Sequence, residues 1–261
     1  MFYLRTVFLI TLFSFTKING LSQIEQTKID SYTFKSKLIK TLKYIRFGKG
    51  KLANRRDTII KDLKSTLQPL DILVIKSSFL VSDKFIPGYF GHVALWVGTN
   101  QDFKNLEIDN HPQILKTRNQ ADTLFDKQPT IIEAVTSGVR ITSLFDFLDA
   151  DDLVVLRPKC KQVINFSDTT AILQAFRQIG KEYDFDFNTE ENSKIICSEL
   201  ACMCFPKINW EQIHFFGKKT ISPDNIVRTC LKEDFEIVTF YHNGKECKPE
   251  QRLKFIRKLT K

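Results

Sequence analysis

A thiol, an imidazole and a carboxylate can together make a nucleophile, a proton carrier and an orienting group. This chain offers candidates for all three. Three of its six cysteines stand in ICSELACMCF, residues 196–205. Cys202 and Cys204 read as residues of a helix interior. Cys197 lies where the loop-like NTEENSK gives way to the helix-like CSELACMCF. A free thiol, with a pKa of ~8.5, is mostly protonated and inert at neutral pH. A helix N-terminus favours negative charge, and a nearby imidazole can accept the proton. The sequence predicts the first feature for Cys197. The alternative is a small apolar core residue.

Four histidines are available as the base. His111 precedes Pro112 in a polar stretch, His214 sits in IHFFGKK, and His242 adjoins Asn243-Gly244. His92 is different, because it opens the apolar run HVALWV directly after Gly91. A ring at a strand mouth can face a cleft while the strand behind it fills the core; it can equally be structural. Glu133 is the candidate orienter. It lies inside TIIEAV, and a carboxylate in a buried strand is costly unless something pairs with it. A salt bridge to Arg140 or an exposed edge strand would also account for it. Tyr183, which opens YDFDF upstream of Cys197, is a candidate substrate contact or an aromatic core residue.

The elements that must position these residues follow from apolar patterning. LDILVIK, residues 70–76, reads as a strand. His92 to Val97 reads as a second and TIIEAV as a third. SGVR turns into a fourth strand through Ile141, and DDLVVLRP is a fifth. Residues 99–127 read as a polar loop. TSLFDFL predicts a short helix, and DTTAILQAFRQIG predicts one capped by Ser167 and stopped at Gly180. ISPDNIVRTCL predicts a further capped helix, and FEIVTFYHNGKE predicts a strand ending in an Asn-Gly turn. Strands in the middle with helices at both ends imply an α+β fold.

Residues 1–20 have Arg5, an apolar run from Val7 to Phe15 and a polar stretch ending in Gly20. That layout predicts a secretory signal peptide cleaved near Gly20, hence a secreted or periplasmic protein. An uncleaved anchor is the alternative. Residues 21–66 predict a basic helical N-terminal extension, with a helical stripe through Phe34, Leu38, Ile39, Leu42 and Ile45 and a second short helix in DTIIKDLKSTL. Residues 67–261 form the main domain. The net charge of +9 is read first as a lysine-rich solvated surface. Attraction to an anionic cell-envelope surface is the second reading; no motif accompanies the charge to suggest nucleic acid. Cysteine and histidine spacings predict no metal site, and no cofactor is expected.

Taken in order, LDILVIK, GHVALWVG, IIEAVTSGVRITSL, YDFDF and ICSEL resemble the permuted papain-like amidases of the NlpC-type superfamily, the YiiX/YaeF-like group, of which lecithin–retinol acyltransferase is a distant relative. The resemblance runs from about Leu70 to Phe240 and includes the family order of histidine before cysteine. It implies a circularly permuted papain-like fold, with a central antiparallel sheet or barrel packed against the nucleophile helix. It also implies Cys197 as nucleophile, His92 as general base and then acid, Glu133 as orienter, and Tyr183 as an active-site wall. Gly91 stands where family members often have serine. The implied reaction is cleavage of an amide through a thioester, on cell-wall peptides or N-acyl lipid-like molecules. The alternatives are an acyltransferase and a non-catalytic binding module on the same fold.

Overall fold

Unbroken apolar runs form the middle of the sheet, as strands buried on both faces require. The computed structural model describes residues 48–78, 86–120, 130–159, 168–187, 193–215, 217–233 and 235–261. The predicted signal peptide, the helical stripe of residues 34–45, Cys160 and Ser167 lie outside them. The chain divides into Met1–Leu38, wholly outside the described residues, and a compact unit Ile39–Lys261.

A 3-10 turn, Lys51–Arg55, leads into helix α1, Arg56–Thr66. Strands β1 (Ile72–Lys76), β2 (His92–Gly98), β3 (Thr130–Val135), β4 (Gly138–Ser143) and β5 (Asp152–Pro158) follow the predicted segments closely. Between β2 and β3 lie α2 (Asn100–Asn105) and α3 (Pro112–Gln120), where a loop was expected. Thr99 and Asp102 cap α2 reciprocally. Phe103 and Ile114 are the fully buried anchors of the two helices. So few apolar residues give little periodicity to read. Helix α4 is Leu144–Phe147 and α5 is Asp168–Gln178.

Next come the short parallel pair β6 (Glu182–Tyr183) and β7 (Lys194–Ile195), then helix α6 (Cys197–Cys204). A hairpin follows, β8 (Ile213–Phe215) and β9 (Lys218–Thr220). Helix α7 (Pro223–Lys232), β10 (Phe235–His242), β11 (Lys245–Glu246) and α8 (Pro249–Leu259) complete the chain. The parallel pair, the hairpin and α8 had no counterpart in the sequence reading.

The seven-stranded sheet has the order β11-β10-β5-β1-β2-β3-β4, with every pairing antiparallel. It is open, with β11 and β4 at its edges, rather than a closed barrel. Alternate residues serve two cores. Ile72, Val74, Val93, Leu95 and Ile132 pack in one with Leu200, Ala201 and Cys204 of α6 and with Ala171 and Ile172 of α5. Leu73, Ile75, Ala94, Trp96 and Ile131 pack in the other with Leu52, Ile59 and Leu63 of the N-terminal turn and helix. This is the α+β arrangement that the element order implied, with α6 laid against the sheet centre.

Candidate active site

Helix α6 begins at Cys197 itself. Ile196 is its N-cap and offers no side-chain bond to the first turn, so a buried helix start keeps backbone N–H groups free for another acceptor. Glu199 Oε2 instead accepts the Ile196 N–H at 2.8 Å, which fixes the residue before the cysteine. Burial is the main reason the Glu199 carboxyl is pushed up to about 7, against the pull of that N–H.

His92 is the first residue of β2, and Glu133 lies on the neighbouring β3, opposite Ala94. His92 Nε2 and Glu133 Oε2 are 2.9 Å apart. The Cys197 side chain is near enough to the ring to act, with Glu133, in raising its pKa. His92 and Glu133, 41 positions apart in the chain, thus form a buried imidazole–carboxylate pair. Phe147 backs the ring at 6.0 Å between centroids.

The carboxylate serves two partners. Arg140, opposite it on β4, donates from Nε at 3.0 Å and from Nη2 at 2.9 Å to Glu133 Oε1. The salt bridge weighed as an alternative to an orienting role therefore coexists with the histidine contact, each on its own oxygen. Burial alone would lower the pKa of His92. Cys197 and Glu133 outweigh that, and it rises to about 10. Burial alone would raise Glu133, but His92 and Arg140 hold it below the usual carboxylate range. The site thus favours the charged imidazole beside Glu133, with the carboxylate neutralised from behind by Arg140.

The segment that presents His92 is clamped from α7. Asp224 Oδ2 accepts the Tyr89 N–H and Oδ1 accepts the Phe90 N–H, both at 2.8 Å. Gly91 N–H donates to the Ile75 carbonyl at 3.0 Å. Gly88 has φ +113°, and a Cβ there would meet the Asp224 carboxyl at 2.5 Å. Gly88→Ala should therefore cost about 1–3 kcal/mol and lower the unfolding midpoint by roughly 3–10 °C. A calorimetric scan of the two proteins checks this, and an unchanged midpoint would show the clamp to be dispensable. The Ser-Pro-Asp-Asn start of α7 was readable as a cap. Its reach to Tyr89, 135 residues away, was not.

Tyr183 pairs with Ile195 across β6 and β7, and its ring meets Phe185 edge-on at 5.1 Å. It lines an apolar cleft with Cys197, Phe187, Ile196, Phe215 and Ile221 among others. Of the four predicted site residues, Tyr183 and Cys197 line this cleft, and His92 pairs with Glu133. Among the described residues, no group of three or more metal-ligating side chains occurs.

A family model described as permuted papain-like amidase enzyme, YaeF/YiiX, C92 family, matches residues 66–244. No curated protein and no solved structure matches the chain.

Proposed function

The chain belongs to the permuted papain-like amidase family, and on that premise we propose that it is a cysteine hydrolase in which Cys197, His92 and Glu133 cleave an amide bond through a thioester. The observation that carries the reading is the imidazole of His92 paired with the buried Glu133 carboxylate, together with a cysteine at a helix start that acts on the same ring.

The Cys197 sulfur, as thiolate, attacks the carbonyl carbon. The backbone N–H of Cys197 faces the developing oxyanion, a kind of contact worth ~3–4 kcal/mol elsewhere. His92, held as imidazolium, gives its proton to the leaving nitrogen as the C–N bond breaks. The amine departs, and the acyl group stays on sulfur. The neutral ring then takes a proton from water, whose oxygen attacks the thioester, and the thiolate is released. Glu133 keeps Nε2–H in place throughout, so the nitrogen facing sulfur is the one that exchanges protons. Water is the acceptor in this scheme. Cell-wall peptides and N-acyl lipid-like amides are the substrate classes to test, and the apolar start of the sequence supports export towards them.

Iodoacetamide labelling followed by mass spectrometry tests the reading. Cys197 should react fastest of the six cysteines near neutral pH, and His92→Ala should slow it about 10–100-fold. The raised His92 sets the pH dependence. Its charge pairing is fully present below its ordinary pKa and is lost as pH rises through about 10. Labelling should therefore show a second change of rate near pH 10 that His92→Ala lacks. Slow, equal labelling of every cysteine would favour a binding module instead.

A further inference from the structure

The start of α6 and the segment before β2 carry the two partners of the proposed chemistry, and both are tied to one short stretch of chain, Ile221 to Asp224. Ser198 follows Cys197 directly and is fully buried. Its hydroxyl donates to the Ile221 carbonyl, 23 residues further on. From there the chain turns into α7 under tight local restraint. Asn225 Oδ1 accepts the Ser222 N–H at 2.9 Å and the Ser222 hydroxyl at 2.7 Å, while Ser222 Oγ accepts the Asn225 N–H at 3.2 Å. Pro223, the first residue of α7, has its φ fixed by its ring. Asp224 is 2% exposed and uses both carboxylate oxygens on the Tyr89 and Phe90 N–H groups. Phe90 stands two residues before His92.

Hydrogen bonds at both ends of this capped stretch thus connect the residue after the nucleophile to the residues before the histidine. Local structure does not account for them. Ser222 and Asn225 already cap α7 reciprocally, so Asp224 is not needed as its cap, and Ser198 reaches out of its own helix. The two elements also share a core through Val93, Leu95, Leu200 and Ala201. Apolar packing is non-directional, whereas a hydrogen bond holds its heavy atoms within about half an ångström. The proposed proton transfer needs that precision, since a misplacement of about 1 Å can cost about 10²-fold.

We propose that Ser198 and Asp224 are positioning residues, which make the stretch from Ile221 to Asp224 a strut holding the Cys197 end of α6 at its working distance from His92. The proposal rests on the assignment of Cys197 and His92 given above. Ser198 and Asp224 have no part in the bond-making steps themselves; they act through their neighbours in the chain. Each end of the strut can be cut by a small substitution. Ser198→Ala removes the donor that meets Ile221. Asp224→Asn keeps one acceptor oxygen and sets an amide N–H₂ against the other backbone N–H.

Iodoacetamide labelling of Cys197 at two pH values, on the full chain, tests the strut without a known substrate. The proteins are the wild type, Ser198→Ala, Asp224→Asn, the double variant and Thr229→Val. Thr229 Oγ1 accepts the Glu211 N–H at 3.1 Å, so Thr229→Val breaks a hydrogen bond of the same helix outside the strut. Ser198→Ala and Asp224→Asn should each slow Cys197 by about tenfold at about pH 6.5, where the thiol depends on the imidazole. At about pH 9.5 an unassisted thiol is largely thiolate, and the change should be under about twofold. The double variant should be no slower than the slower single one, because both cuts open the same connection. Thr229→Val should lower the unfolding midpoint as Ser198→Ala does and label like the wild type at both pH values. Unaltered labelling in folded Ser198→Ala or Asp224→Asn, or equal slowing in Thr229→Val, would overturn the proposal while leaving the hydrolase reading in place. Failure of both single variants to fold would do the same, since the contacts would then support the fold and not the site. A wild-type Cys197 no faster than the other cysteines near neutral pH would overturn both.

Discussion

Cys197→Ala is expected to lower turnover by about 10⁴–10⁶-fold while the protein stays folded. The sulfur is the only atom proposed to bond the acyl group, so its removal eliminates the covalent route rather than slowing it. The folding cost is small by comparison. Cys197 is 4% exposed, and trading a thiol for a methyl-sized gap costs about 1 kcal/mol. His92→Ala should fall nearly as far, by about 10³-fold or more, because it removes both the proton donor and the charge beside the sulfur. Glu133 would still be held by Arg140, which donates to it from two nitrogens, so this variant should also fold. If the two residues act as one unit, the double variant is no worse than Cys197→Ala alone. Ester hydrolysis, with thermal unfolding as the fold control, measures all three. A folded Cys197→Ala retaining a tenth of wild-type activity would rule out the thioester.

The His92–Glu133 pairing was legible where chemistry conflicts with burial. A glutamate inside TIIEAV and a histidine heading HVALWV are polar groups in apolar runs, and each required a partner that the fold supplies in the other. The position of Cys197 at a helix start was legible from the composition change there. The strands were legible because β1, β2 and β5 are apolar on both faces. Contacts that depend on distant chain segments were not. Nothing local in Ser-Pro-Asp-Asn indicates that Asp224 will clamp Tyr89 and Phe90. Nothing in KKT marks Thr220 as lining a cleft beside the nucleophile. The helices between β2 and β3 were missed for a different reason. Each needs only one or two buried side chains, and its remaining positions are as polar as any loop.

Glu133→Gln should lower turnover by about 10²–10⁴-fold, and the loss should be partly reversed by a second substitution at Arg140. The carboxylate accepts on both oxygens, from His92 on Oε2 and from Arg140 on Oε1. A glutamine has one acceptor and one donor end. Directing its oxygen to Arg140 keeps two hydrogen bonds, but it places the amide N–H₂ against His92 Nε2. The ring must then accept at Nε2, so its remaining proton sits on the nitrogen that faces the sulfur. It is neutral and in the wrong tautomer, and it can no longer take a proton from that side. Directing the oxygen to His92 preserves the imidazolium but sets amide protons against the guanidinium. Two bonds to arginine outweigh one to histidine, so the first arrangement should prevail. Arg140 is about half exposed on its side chain. Arg140→Ala alone therefore costs little, about tenfold, since Glu133 keeps His92 and water replaces the guanidinium. In Glu133→Gln/Arg140→Ala the competitor is gone, the amide oxygen turns to His92, and activity should rise at least about tenfold above Glu133→Gln. Additive losses in this cycle would mean that Glu133 acts through its charge alone and not by selecting the tautomer of His92.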